Sequence, residues 1–171
     1  MRNSILNNKT ILAVDDEPDV LEVLKAEILL EAPNCTLDTA TSHEKAVELL
    51  TTWNYDLAIF DIMGVRGFDL LEKATKRPHP VPTVMLTAHA FSAESLKRSI
   101  DLGARAYLPK DKLGEVVPFL EDVLTYEYGT VWKRVLKQLE GIFSEGWGPY
   151  WRNPDKKFWK KFEERIASKK E

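Results

Sequence analysis

A doubly wound α/β fold, with five parallel strands covered by helices on both faces, is what three features of this sequence predict. Short apolar runs end abruptly in polar residues, segments of helical period alternate with them, and Gly, Pro and Asn punctuate the junctions. The first run, residues 10–14, is apolar and β-branched and stops at Asp15 and Asp16, as a buried parallel strand does. Pro18 suits a first helical turn, and Val20, Leu21, Leu24, Ile28 and Leu29 then recur at helical spacing until Pro33 and Asn34 close the segment. Residues 36–40 alternate like a second strand. Ser42 is a natural N-cap, with Lys45 at the N3 position, for a helix that uses Ala46, Leu49 and Leu50. A third strand, residues 57–60, again ends in an acid, Asp61.

The second half repeats the pattern. Residues 67–74 read as a short helix, 81–86 as a strand, and 92–102 as a helix closed by Gly103 at C′. Residues 106–108 make a fifth strand and 113–126 a fifth helix, with Pro118 in its tolerant first turns.

Composition bounds the function classes. The chain has 171 residues, is 44% hydrophobic and 30% charged, and so has the material for a packed core. Its apolar runs are far shorter than the ~20 residues that span a bilayer, and residues 1–9 hold no signal-like apolar stretch, so a cytoplasmic setting is expected. The single cysteine, Cys35, excludes an internal disulfide and reads as core. His43, His79 and His89 lack metal-ligand spacing. The formal charge of −3 hides an asymmetry. Residues 1–124 carry 13 basic and 20 acidic side chains, whereas residues 125–171 carry 11 basic and 7 acidic and hold Trp132, Trp147, Trp151 and Trp159.

The residues that break the rules of a buried strand all fall at carboxyl ends: Asp15 and Asp16, Asp61, Thr87 and Lys110. Open parallel sheets bring such ends to one edge, where ligands bind. Three carboxylates in one cleft repel each other, and a hard divalent cation relieves that through oxygen ligands. Mg²⁺ suits the set. It favours one or two carboxylates, water and phosphate oxygens, so the same cleft welcomes a phosphoryl group.

Residues 14–18 (Val-Asp-Asp-Glu-Pro), 60–63 (Phe-Asp-Ile-Met), 86–88 (Leu-Thr-Ala) and 103–110 (Gly-Ala-Arg-Ala-Tyr-Leu-Pro-Lys) stand in order, each terminating the expected strand. Over residues 8–126 the chain resembles the receiver domain of two-component response regulators. The resemblance implies a CheY-like, flavodoxin-like sheet of order 2-1-3-4-5. It makes Asp61 the phosphoacceptor that attacks the phosphorus of a phosphohistidine, on a sensor histidine kinase or phosphotransfer protein. It makes Asp15, Asp16, Asp61 and the backbone carbonyl of Met63 the Mg²⁺ ligands, and Lys110 the partner of the phosphoryl oxygens. Thr87 and Tyr107 become the switch pair, and His89 and Met63 flank the phosphoryl group. The family pattern also has a Met-Pro pair and a later glycine after the phosphoacceptor. Here the run from Asp61 to Gly67 is two residues shorter, and Asp111 replaces the proline that usually follows the lysine.

Residues 127–171 form a separate aromatic and basic helical extension. Trp132, Val135, Leu136, Leu139, Ile142 and Phe143 share one stripe of a helix over residues 130–143, which residues 146–149 break. Phe158, Trp159, Phe162 and Ile166 line a last helix over residues 154–168. Packing on the chain's own domain, or on a second copy as a homodimer, is the first reading of these faces. A surface for an unidentified protein partner is the second. An interfacial membrane helix and DNA binding are disfavoured, the latter because two short helices lack a helix-turn-helix core.

The function expected is therefore a phosphoprotein of signal transduction rather than an enzyme, with output through protein-protein contact. Two rivals remain open. One is a pseudo-receiver that binds partners without phosphorylation. The other is a Mg²⁺-dependent phosphohydrolase, which wants a second Asp where Met63 stands.

Overall fold

The computed structural model describes residues 3–88 and 92–168. Strands β1 (Thr10–Val14), β2 (Thr36–Ala40), β3 (Leu57–Asp61), β4 (Thr83–Thr87) and β5 (Ala106–Pro109) form one parallel sheet of order β2-β1-β3-β4-β5. Helices α1 (Pro18–Glu31), α2 (His43–Thr52), α3 (Gly67–Thr75), α4 (Ala93–Asp101) and α5 (Val116–Thr125) make the crossovers. Right-handed connections send α1 and α5 to one face, where they pack together, and α2 and α3 to the other. The predicted class and strand order are those observed. Every residue of β3 and β4 is buried, which explains the apolar runs 57–60 and 84–86 within them. Strand β2, on one edge, keeps only Ala40 buried.

Local chemistry sets the ends of the elements. The Ser42 hydroxyl accepts the Lys45 N–H at 3.1 Å, the expected cap of α2. Gly103, at φ +94°, closes α4: its N–H reaches the Ile100 carbonyl at 3.1 Å and the Ala104 N–H reaches Ser99 at 2.9 Å. That pair of bonds is a Schellman motif, and it needs the left-handed conformation glycine allows. Two boundaries differ from expectation. Strand β4 begins at Thr83 rather than residue 81, because Pro82 brings no N–H to the ladder, while Val81 donates to Ala74 at 3.0 Å. The segment before α5 is a 3-10 turn, Lys110–Glu115, whose Lys112 leaves helical geometry, so α5 itself starts at Val116.

Beyond the sheet lie two further helices, α6 (Tyr128–Trp147) and α7 (Lys156–Ser168). Helix α6 runs through Gly146, where a break was expected, and ends at Trp147 before Gly148 at φ +88°. A single glycine inside a helix costs only about 1 kcal/mol, which apolar packing offsets. The expected stripe is the packed one: Trp132, Val135, Leu136, Leu139 and Phe143 are buried and Ile142 partly so. Trp159, Phe162 and Ile166 of α7 are buried too, and a Cβ on Gly129 would lie 2.8 Å from the Ile166 carbonyl, so the helices touch where α6 has no side chain.

This pair covers the sheet's second edge. Strand β5 is terminal in the sheet, yet all four of its residues are buried. Helix α6 packs on β5 and α5, and the Trp132 indole N–H donates to the Ala104 carbonyl at 3.0 Å. An uncovered edge would offer unpaired backbone groups to another chain. Replacing Trp132 with Phe leaves that buried carbonyl without its donor. We expect a loss of about 1–3 kcal/mol, read as a lower urea midpoint at unchanged slope.

Candidate functional site

The carboxyl ends of β1, β3 and β5 bring the predicted acids and lysine together. Asp15 follows β1 directly, Asp61 is the last residue of β3, and Lys110 follows β5. The Lys110 ammonium lies 2.8 Å from Asp15 Oδ2 and 3.2 Å from Asp61 Oδ1. It also meets Glu17 Oε1 at 2.8 Å, a contact no sequence feature foretold beyond the run of three acids. One carboxylate oxygen from each of Asp15, Asp16 and Asp61 lies within 4.8 Å of the others. Asp15 and Asp61 are buried and Asp16 is exposed.

Burial and mutual repulsion shape the titration of the group. Burial, reinforced by the nearby Asp15 charge and opposed by Lys110, pushes the Asp61 carboxyl up to about 6. Asp15 is also raised by burial, against the Lys110 ammonium and the Glu17 N–H, which donates to Asp15 Oδ1 at 2.9 Å. Burial by itself would lower Lys110, but its contacts with Asp15, Glu17 and Asp61 carry it well above the ordinary lysine range. The cleft therefore holds more negative charge than one ammonium balances. Asp15 Oδ2 makes no well-aligned hydrogen bond although it is buried and close to Lys110. A buried carboxylate oxygen held by one ammonium, beside two further carboxylates, is a donor set that a hard divalent cation fits.

The shortened loop after Asp61 closes through two glycines and one strained residue. Gly64 has φ +80° and Arg66 φ +55°. A Cβ on Gly64 would stand 2.4 Å from Asp16 Oδ2, and one on Gly67 would stand 2.1 Å from the Asp61 carbonyl. The loop thus presses backbone against the site. Met63 lies in this loop with its side chain exposed. Its carbonyl accepts the Val65 N–H at 2.9 Å, leaving one lone pair.

Thr87 and Tyr107 are buried behind the acids. Register pairs Asp61 with Leu86 and Thr87 with Pro109, so Thr87 stands one residue beyond Asp61 on the same edge. The Tyr107 hydroxyl hydrogen-bonds to Thr87 and to Ser95 Oγ of α4, the latter at 2.8 Å. Ser95 carried no sequence signal, since it also serves the capping box of α4 with Ser92. His89 lies outside the described residues. His43 pairs with Asp69 at 2.5 Å and so ties α2 to α3. Cys35 is buried, which pushes its thiol up to about 11, as a core cysteine should be.

The family model of the response regulator receiver domain matches residues 11–117. The chain belongs to the response regulator receiver family. It is 36% identical to the transcriptional regulatory protein CpxR of Escherichia coli over 102 residues, which is 58% of this chain and 42% of that protein. With the heme response regulator HssR of Staphylococcus epidermidis it shares 37% identity over 101 residues, covering 58% and 43% of the two chains. The chain thus spans less than half the length of these curated relatives. Among solved structures, a response regulator from Hahella chejuensis superposes with a TM-score of 0.61 at 25% identity, covering 69% of this receiver chain and 96% of that one. The receiver domain of NtrX from Brucella abortus gives 0.57 at 26% identity, over 68% and 99%. These matches take in about two thirds of the chain.

Two outcomes follow for the site. An aspartate whose folded carboxyl sits near 6 binds its proton more tightly folded than unfolded, so its contribution to stability is greatest below about 4 and is lost as pH rises through 6. In chelator, Asp61→Asn should therefore be more stable than wild type at pH 7 by on the order of 2 kcal/mol, with the gain fading toward pH 4 in urea titrations. Gly64→Ala should push the Asp16 carboxylate aside and weaken Mg²⁺ affinity at least tenfold by calorimetry, roughly 1.4 kcal/mol.

Proposed function

We propose that this chain is a phosphoryl-accepting response regulator. Asp61 takes the phosphoryl group from a phosphohistidine on a sensor histidine kinase or phosphotransfer protein, and output runs through protein-protein contact. The observation that carries the reading is the meeting of Asp15, Asp16, Asp61 and Lys110 at one sheet edge, with the Lys110 ammonium 3.2 Å from Asp61 Oδ1. Residues 8–126 act as the receiver unit in this reading and 127–171 as an appended helical unit.

Asp15, Asp16, Asp61 and the Met63 carbonyl would hold Mg²⁺. When bound, the cation neutralises charge on the transferring phosphoryl oxygens. The protein's own groups do the remainder. An Asp61 oxygen forms the new O–P bond as the N–P bond of the donor breaks, and the imidazole leaves with that electron pair and takes a proton. Carboxyls raised by burial are better nucleophiles once ionised, and a site cation favours that ionised state at neutral pH. Lys110 is already placed between the strand ends and can exchange Glu17 or Asp15 for phosphoryl oxygens without a large move. Thr87 supplies a hydroxyl donor on the same edge.

The experiment is intact-mass analysis after incubation with Mg²⁺ and acetyl phosphate. A single labile adduct of one phosphoryl group is expected in wild type, absent in Asp61→Asn and absent in chelator. Lys110→Ala should slow its formation by about 10²-fold or more, the size of effect seen when one preorganised charge stabiliser is removed. Mg²⁺ binding with no adduct under any donor would leave the constitutive pseudo-receiver as the better reading.

A further inference from the structure

The extension spans the surface through which a change at Tyr107 would be felt. Phe143 of α6 meets the Tyr107 ring edge-on, with centroids 6.2 Å apart, and Phe143 is itself stacked on Trp147 at 4.8 Å. Trp151 and Trp159 continue the chain of rings, at 5.3 Å from Trp147 and 5.0 Å from each other. On the α4 side, Lys97 pairs with Asp155 at 2.6 Å and lies 5.5 Å from the Phe158 ring centroid. On the α5 side, Arg134 pairs with Asp122 at 3.0 Å. The extension is thus fastened to both helices that flank β5, and between those fastenings its aromatic core rests on Tyr107.

We infer that α6 and α7 form a latch held closed by the unphosphorylated receiver, and that phosphorylation of Asp61 loosens it through Thr87, Tyr107 and Phe143. The inference rests on the proposed function. A phosphoryl group on Asp61 adds three strong acceptor oxygens at the edge where Thr87 has its hydroxyl. The Thr87 hydroxyl donates to the Ala88 carbonyl at 3.4 Å and also contacts the Tyr107 hydroxyl, so turning it toward the phosphoryl group withdraws it from both. Tyr107 is fully buried between Thr87, Ser95 and Phe143, and close-packed groups respond to such a change by switching between discrete arrangements. Any shift of its ring changes the seat of Phe143. Loosening would uncover the buried stripe of Trp132, Leu139 and Phe143 and the β5 edge beneath it, an apolar aromatic surface next to a strand edge.

Linkage makes the idea testable from both ends, because a phosphoryl group that opens the latch must bind more tightly when the latch is already weakened. Hydrogen exchange of the full chain is compared with and without Mg²⁺ and beryllium trifluoride, a stable mimic of the phosphoryl group, with binding followed by calorimetry. Amides of residues 128–168 are expected to exchange at least tenfold faster when the mimic is bound, with no change in Asp61→Asn. Lys97→Gln cuts a surface fastening without touching the core, and should bind the mimic at least threefold more tightly than wild type. Phe143→Ala should speed exchange of the extension without the mimic. Mimic binding with unchanged exchange over 128–168, or with unaltered affinity in Lys97→Gln, overturns the latch and leaves the phosphoacceptor reading intact. Absence of both mimic binding and an acetyl phosphate adduct overturns the phosphoacceptor reading and the latch with it.

Discussion

A single ammonium group placed among carboxylates organises this protein. Lys110 reaches Asp15 at the end of β1 and Asp61 at the end of β3 from its own position after β5, so it spans the sheet's carboxyl edge. Its positive charge lets two acids remain buried side by side, while burial, reinforced by the Asp15 charge that Lys110 does not cancel, pushes the Asp61 carboxyl up to about 6. A site balanced this way is poised. It holds more negative charge than one ammonium balances when all its acids ionise. Cations and phosphoryl groups act on such a cleft strongly because the low-dielectric surroundings magnify each charge.

The backbone around the site serves the same constraint. The run between Asp61 and Gly67 is short. The structure meets the shorter path with Gly64 in the left-handed region and with Gly67 close against the Asp61 carbonyl. Arg66 accepts the same strained region, a cost of order 1 kcal/mol that the surrounding fold sustains. The loop is a compact alternative to the longer family pattern, with the acids still gathered within 4.8 Å of one another.

Beside β5, aromatic packing replaces charge. Rings from α6, the following turn and α7 contact one another in edge and stacked geometries, which hold more tightly than area alone implies. Arg152 lies over Trp151 at 4.2 Å and closes the outer side of the cluster. The extension and the receiver therefore share one continuous hydrophobic core, and β5 lies where the two meet.

Periodicity and punctuation alone determined the alternating elements and the parallel class here, because a strand buried on both faces must be apolar throughout and must end where polar chemistry begins; the strand order came with the family resemblance and not from the period. The same rule exposed Asp15, Asp61, Thr87 and Lys110, each a polar residue at the boundary of an apolar run. Helix faces in the extension were legible for the same reason, since Trp132, Leu136, Leu139 and Phe143 repeat with the helical period. What those faces cover was not. Period tells which side of a helix is apolar but holds no record of the surface opposite, so only the tertiary structure set Phe143 on Tyr107 and Trp132 on Ala104. The partners Glu17, Ser95 and Gly64 were hidden likewise. Each is an ordinary residue in its local run, and its importance arises from neighbours that the fold brings in from elsewhere in the chain.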